Sequence, residues 1–113
     1  MIITYPTSSV NVDIGMYWHI SWQDASDDPK VVDFWLTHER RQPEYKPVLL
    51  AENVNAHEQQ TIVVKGDDSS TIKTDSDYRV WAMKQGEKPM QNGTHPVAES
   101  DDFSVTNKST PRN

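Results

Sequence analysis

The chain has no cysteine and only four glycines in 113 residues. Without cysteine there is no disulfide framework, and no thiolate is present to bind zinc or act as a nucleophile. Stability has to come from apolar burial, and this length suffices for one core in one domain. Positive charge is in the minority. Eleven Lys and Arg stand against seventeen Asp and Glu, a formal net charge of −6. Such a surface repels phosphate backbones, which argues against nucleic acid as a partner. Long apolar runs are missing too, and none approaches the ~20 residues that span a bilayer. Ile2-Ile3-Thr4-Tyr5 opens directly in a strand pattern, with no basic segment or apolar stretch of a signal peptide ahead of it. There is no repeat, no heptad and no helical period of ordinary length.

What the chain does have is alternation. In Tyr17-Trp18-His19-Ile20-Ser21-Trp22, Trp18, Ile20 and Trp22 share one face and Tyr17, His19 and Ser21 the other. Period two in a short aromatic run predicts a half-buried strand, with the two tryptophans in the core. In Val31–His38 the same rule puts Val32, Phe34 and Leu36 inside and Val31, Asp33, Trp35 and Thr37 outside. In the Tyr78 strand it buries Tyr78, Val80 and Ala82 and turns Arg79, Trp81 and Met83 outward. Ile2–Tyr5, Val10–Ile14, Val48–Val54, Thr61–Val64 and Phe103–Val105 supply further short strands. Val48–Val54 has two plausible registers, Val48/Leu50 or Leu49/Ala51 inward. Pro6, Gly15, the loop 23–30, the loop 39–47 and Gly66-Asp67-Asp68 punctuate them. Tyr78 follows acidic turn residues at the start of the penultimate strand, which is the position of a tyrosine corner. The reading is an all-β protein: an immunoglobulin or fibronectin type III-like β-sandwich of seven to nine strands over residues 1–105, with a polar flexible tail over 106–113.

The order Ile3, Pro6, Val10, Gly15, Ile20, Trp22, Phe34, Leu36, Leu50-Ala51-Glu52-Asn53-Val54, Tyr78-Arg79-Val80 and Ser100-Asp101-Asp102-Phe103-Ser104-Val105 resembles a known family. It is similar to the N-terminal-like domain of fungal cell-wall β-1,6-glucan-assembly proteins, over residues 2 to 105. The resemblance implies an immunoglobulin-like sandwich at the fungal cell surface, tied to wall glucan assembly, and supplies no catalytic residues. It also implies an extracellular or cell-surface location. The chain lacks the Ser/Thr-rich stalk and apolar anchor tail of such proteins, and with no signal peptide a cytoplasmic location stays open.

Trp35 and Trp81 carry the sharpest functional signal. Both stand on outward faces of strands that neighbour each other in such a sandwich, and paired exposed aromatics mark interaction sites. Flat rings stack on sugar faces, and Asp33, Thr37 and Arg79 lie close enough to bond hydroxyls. A glycan, a second copy forming a homodimer, or cover by the long loop 84–98 would each account for the pair. The first makes the protein a non-catalytic, lectin-like carbohydrate-binding module of the fungal cell wall, with β-glucan as ligand. The second makes it a self-associating interaction domain with an immunomodulatory or defence role.

No cofactor or metal is expected. Asp24, Asp27 and Asp28, then Asp67 and Asp68, then Asp75 and Asp77 cluster in loops, but none follows a calcium-loop spacing. His19, His38, His57 and His95 are scattered, and His38-Glu39 lacks the second histidine of H-E-x-x-H. With no G-x-S-x-G present, catalysis has no support. Asn92-Gly93-Thr94 and Asn107-Lys108-Ser109 are acceptor sequences for N-glycosylation, at Asn92 and Asn107.

Overall fold

A computed structural model describes residues 1–40, 45–66, 72–91 and 93–107. Nine strands occur among them: β1 (Ile2–Tyr5), β2 (Asn11–Asp13), β3 (Trp18–Gln23), β4 (Val31–His38), β5 (Val48–Asn55), β6 (Thr61–Val64), β7 (Asp75–Lys84), β8 (Ala98–Glu99) and β9 (Phe103–Thr106). They form two sheets. The smaller runs β1-β3-β6, and the larger runs β2-β9-β7-β4-β5 with β8 also on β7. All pairings are antiparallel except β2 with β9. The protein is a β-sandwich.

The alternation places the core where the sequence puts it. Ile20 and Trp22 of β3 meet Val32, Phe34 and Leu36 of β4 and Tyr78, Val80 and Ala82 of β7, all buried. Trp22 and Phe34 bridge the two sheets with ring centroids 5.0 Å apart. The Trp22 indole N–H donates to the carbonyl of Ala56 at 3.1 Å, so the buried ring leaves no polar atom unsatisfied. Truncating such a side chain to alanine costs about 3–5 kcal/mol. Trp18 is half-buried and tilts against Phe103 at 6.3 Å. The tyrosine corner is present: the Tyr78 hydroxyl donates to the carbonyl oxygen of Lys73.

Three details depart from simple alternation. Met83 faces outward as expected but is fully covered. In β5 the register against β4 shifts on both sides of Phe34. That bulge lets Val48, Leu50 and Ala51 all touch the core while Leu49 points out, so neither simple register holds. Thr106, placed in the tail by its sequence, belongs to β9, pairs with Asp13 and accepts the amide of Ile14 at 3.0 Å.

Candidate functional site

The outward face of the larger sheet is set by the pairing of β4 with β7. Trp35 lies directly opposite Trp81, Thr37 opposite Arg79 and Asp33 opposite Met83. β5 places Leu49 beside Trp35, and β8 places Glu99 beside Trp81. One row of side chains therefore crosses four strands: Leu49, Trp35, Trp81, Glu99. Leu49 is 42% exposed, and both indoles are half-buried. The Trp35 indole nitrogen is buried and has no hydrogen-bond partner among the described residues.

The polar candidates around the rings are employed differently. Asp33 is buried, and its two carboxylate oxygens accept the backbone amides of Asn53 and Gly86, each at 2.9 Å. Both acceptor contacts hold residues with positive φ, 57° at Asn53 within β5 and 83° at Gly86 in the turn after β7. Thr37 is buried as well, and its hydroxyl donates to the Arg79 carbonyl at 3.2 Å. Asp33 and Thr37 thus tie neighbouring segments together through their polar groups. Arg79 stays accessible: its Nε donates to Asp102, and its Nη1 lies 3.4 Å from Glu99. The Asp102 hydrogen bond raises its already high pKa, so the guanidinium is a fixed positive charge.

Beside Trp81 the surface opens into a groove of ≈ 200 Å³ lined by Thr37, His38, Glu39, Arg79, Trp81 and Glu99. His38 is a buried part of its wall. Its Nε2 lies 2.7 Å from the Ser76 carbonyl, and its Nδ1 accepts the Arg40 amide at 2.9 Å, so Nε2 carries the hydrogen. The imidazole stacks on Tyr45 at 3.7 Å and meets the edge of Tyr78 at 4.6 Å. A second polar hollow of ≈ 190 Å³ lies among Ser8, Ser76, Asp77, Asp102, Phe103 and Ser104. Between the two, Glu39, Asp77 and Asp102 bring carboxylate oxygens within 4.8 Å of one another. Three such oxygens fall short of the six to eight that calcium takes, and Asp102 is already engaged by Arg79.

No family model, no curated protein and no solved structure matches this chain. The site is therefore read from its own geometry. Trp35, Trp81 and Arg79 share one face as the alternation predicts; Thr37 is buried but lines the groove, and Asp33 is buried away from it. His38, Glu39, Glu99 and Asp102 complete the surface, and the sequence reading missed them. Asp102 and Glu99 come from the chain end of the sheet, where a two-residue strand leaves no periodic signal. Asp24 pairs with His57 at 2.7 Å and accepts from Gln60. Asp67, Asp68 and Asn92 lie outside the described residues. No helix among the described residues is long and apolar enough to cross a membrane.

Proposed function

We propose that this protein is a non-catalytic carbohydrate-binding module whose site is the groove beside Trp81. One observation carries the reading: Trp81, in register with Trp35 on the next strand, lines a groove whose other walls include Arg79, Glu39 and Glu99. An aromatic wall beside fixed polar groups is what a sugar ring needs, because its C–H face is apolar and its rim is hydroxylated. Trp81 supplies the stacking surface. Arg79, held by Asp102 and Glu99, donates to ring hydroxyls, and Glu39 and Glu99 accept from them. Trp35, opposite Trp81 in the register, continues the row toward Leu49. The tyrosine corner and the strand order favour an immunoglobulin-like lineage. The resemblance to fungal glucan-assembly domains makes a cell-wall β-glucan the first ligand to test, and the cell surface the place where it is met.

The test is a glycan array with pull-down on insoluble β-glucan and chitin. Wild type should be retained, and Trp81→Ala should weaken retention at least tenfold, a loss of about 1.4 kcal/mol. Folded wild-type protein that binds none of these would overturn the reading. A protein-interaction role, with an immunomodulatory or defence consequence, then becomes the better account. The exposed Leu49 beside Trp35 favours that second reading, since an apolar residue next to an indole suits a protein partner.

A further inference from the structure

The other sheet carries a feature that glycan binding does not use. Among the described residues five strands have a single partner: β1 and β6 in one sheet, and β2, β5 and the two-residue β8 in the other. Exposed edges invite pairing with another chain, and natural sheets block them. β1 is followed by Pro6, which has no N–H to give, and its register is irregular between Ile3 and Tyr5. β2 is only three residues long. β5 has a bulged register, an exposed Glu52, and Asn53 at φ 57°. β6 has none of these. Thr61-Ile62-Val63-Val64 is wholly β-branched, uncharged and free of proline and glycine, and it pairs regularly with β3.

The hydrogen-bond pattern fixes which groups β6 leaves open. The Trp22 amide donates to the Gln60 carbonyl at 2.9 Å, and Ile20 and Trp18 face Ile62 and Val64. In an antiparallel ladder such pairs alternate, so the even-numbered residues of β6 turn their backbone toward β3. Thr61 and Val63 therefore turn their N–H and C=O groups to the edge that no other strand among the described residues pairs. The outward side chains there carry no acid: Ile2 and Tyr5 on β1, His19, Ser21 and Gln23 on β3, Thr61 and Val63 on β6. Val63, opposite His19, is 70% exposed, and Tyr17, just ahead of β3, is 72% exposed. In a chain of net charge −6 this is a face that a second copy approaches without carboxylate repulsion.

We propose that two copies of this chain associate through β6, antiparallel about a two-fold axis at Ile62. Thr61 then lies opposite Val63 of the partner subunit, and Val63 opposite Thr61 of the partner subunit. Each such pair exchanges two N–H···O bonds, which uses every backbone group that Thr61 and Val63 leave open. The two Ile62 side chains meet on the core side, and Val63 packs against threonine on the outer side. The three-stranded sheet becomes one continuous sheet across the dimer, and both Trp81 grooves stay open on the opposite faces.

Light scattering across a dilution series tests this. The expected mass is twice 13.0 kDa at high concentration, falling to 13.0 kDa on dilution. Val63→Pro removes an amide that points away from β3, so it breaks the dimer with no loss of an internal ladder bond. Val63→Lys should weaken the dimer by about tenfold or more. Amide hydrogen exchange of wild type needs no variant to fold: protection at Thr61 and Val63 should rise with concentration. Three results would each overturn the proposal. One is a 13.0 kDa species at every concentration, and another is protection independent of concentration. The third is a dimer that folded Val63→Pro or Val63→Lys leaves intact and Trp81→Ala breaks, which puts the contact on the larger sheet.

Discussion

The Tyr78 hydroxyl reaches back over the turn that precedes β7 and donates to the backbone carbonyl of Lys73. The bond closes the chain just where it passes from the end of β6 to the start of β7. Tyr78→Phe keeps the ring and its edge contact with His38 but orphans that carbonyl. The expected cost is about 1–3 kcal/mol, read as a lower urea midpoint at unchanged slope. Glycan retention on the folded variant should not change, because Tyr78 lies beneath the groove wall.

Asp33→Asn separates a structural carboxylate from a ligand-binding one. One amide oxygen still accepts the Asn53 N–H, but the new NH₂ group faces the Gly86 N–H, donor against donor. Hydrogen bonds to a charged acceptor are worth about 1.5–3 kcal/mol, and the stability loss should fall in that range. If Asp33 instead contacted ligand, retention would fall more than stability does. Thermal and binding midpoints measured on the same preparation distinguish the two.

His57 and Asp24 form a pair whose contribution depends on pH. The hydrogen bond to Asp24, with the Asp28 carbonyl on the other nitrogen, raises the imidazole above its ordinary 6.5. The hydrogen bonds from His57 and Gln60 lower the Asp24 carboxyl below its ordinary 3.8. A raised imidazole contributes stability that is complete below 6.5 and disappears as pH rises through its folded value. A lowered carboxyl contributes stability that is present above 3.8 and disappears as pH falls through its folded value. The pair therefore helps most between the two ordinary values. His57→Ala should flatten the urea midpoint against pH across the rise from mildly acidic to mildly alkaline solution.

At high pH the tyrosines behave unequally. Burial, followed by the charges of Tyr45 and Asp75, pushes the Tyr78 phenol up to about 12. The hydrogen bond to Asp75 raises Tyr45 as well. A raised phenol contributes stability below 10.0 that is lost as pH climbs through the folded value. Spectrophotometric titration should show a late-ionising phenol in wild type that Tyr78→Phe removes. Ionisation of Tyr78 should coincide with loss of the near-ultraviolet circular dichroism of the folded core.

Much of the fold was legible because strand alternation is local. Trp22, Phe34, Leu36, Val80 and Ala82 declare their faces by their immediate neighbours, and the pairing of Trp35 with Trp81 follows once β4 and β7 adjoin. What covers an outward face is not local. Asp33, Thr37 and Met83 read as exposed because they alternate with core residues, yet each is buried. Asp33 is tied to Asn53 in the irregular β5 and to Gly86 in the turn after β7, two segments far from it in sequence. Glu39 and the pair Glu99 and Asp102 reach the site from two separate stretches, and only the packed chain brings them to Arg79 and Trp81.

The clamp at Asp33 also fixes where the segment after β7 begins. Gly86 is held to Asp33, and at the far end the Val97 amide donates to the Ala82 carbonyl at 2.7 Å. Both ends of that excursion are tied down by groups outside it. A graft is tolerated where the anchors do not depend on what lies between them. Lengthening such a segment costs little, about 0.6 kcal/mol for each doubling. The stretch from Glu87 to Pro96 is thus the natural port for foreign sequence in this scaffold, opening beside the Trp81 face without dismantling the sandwich that presents it.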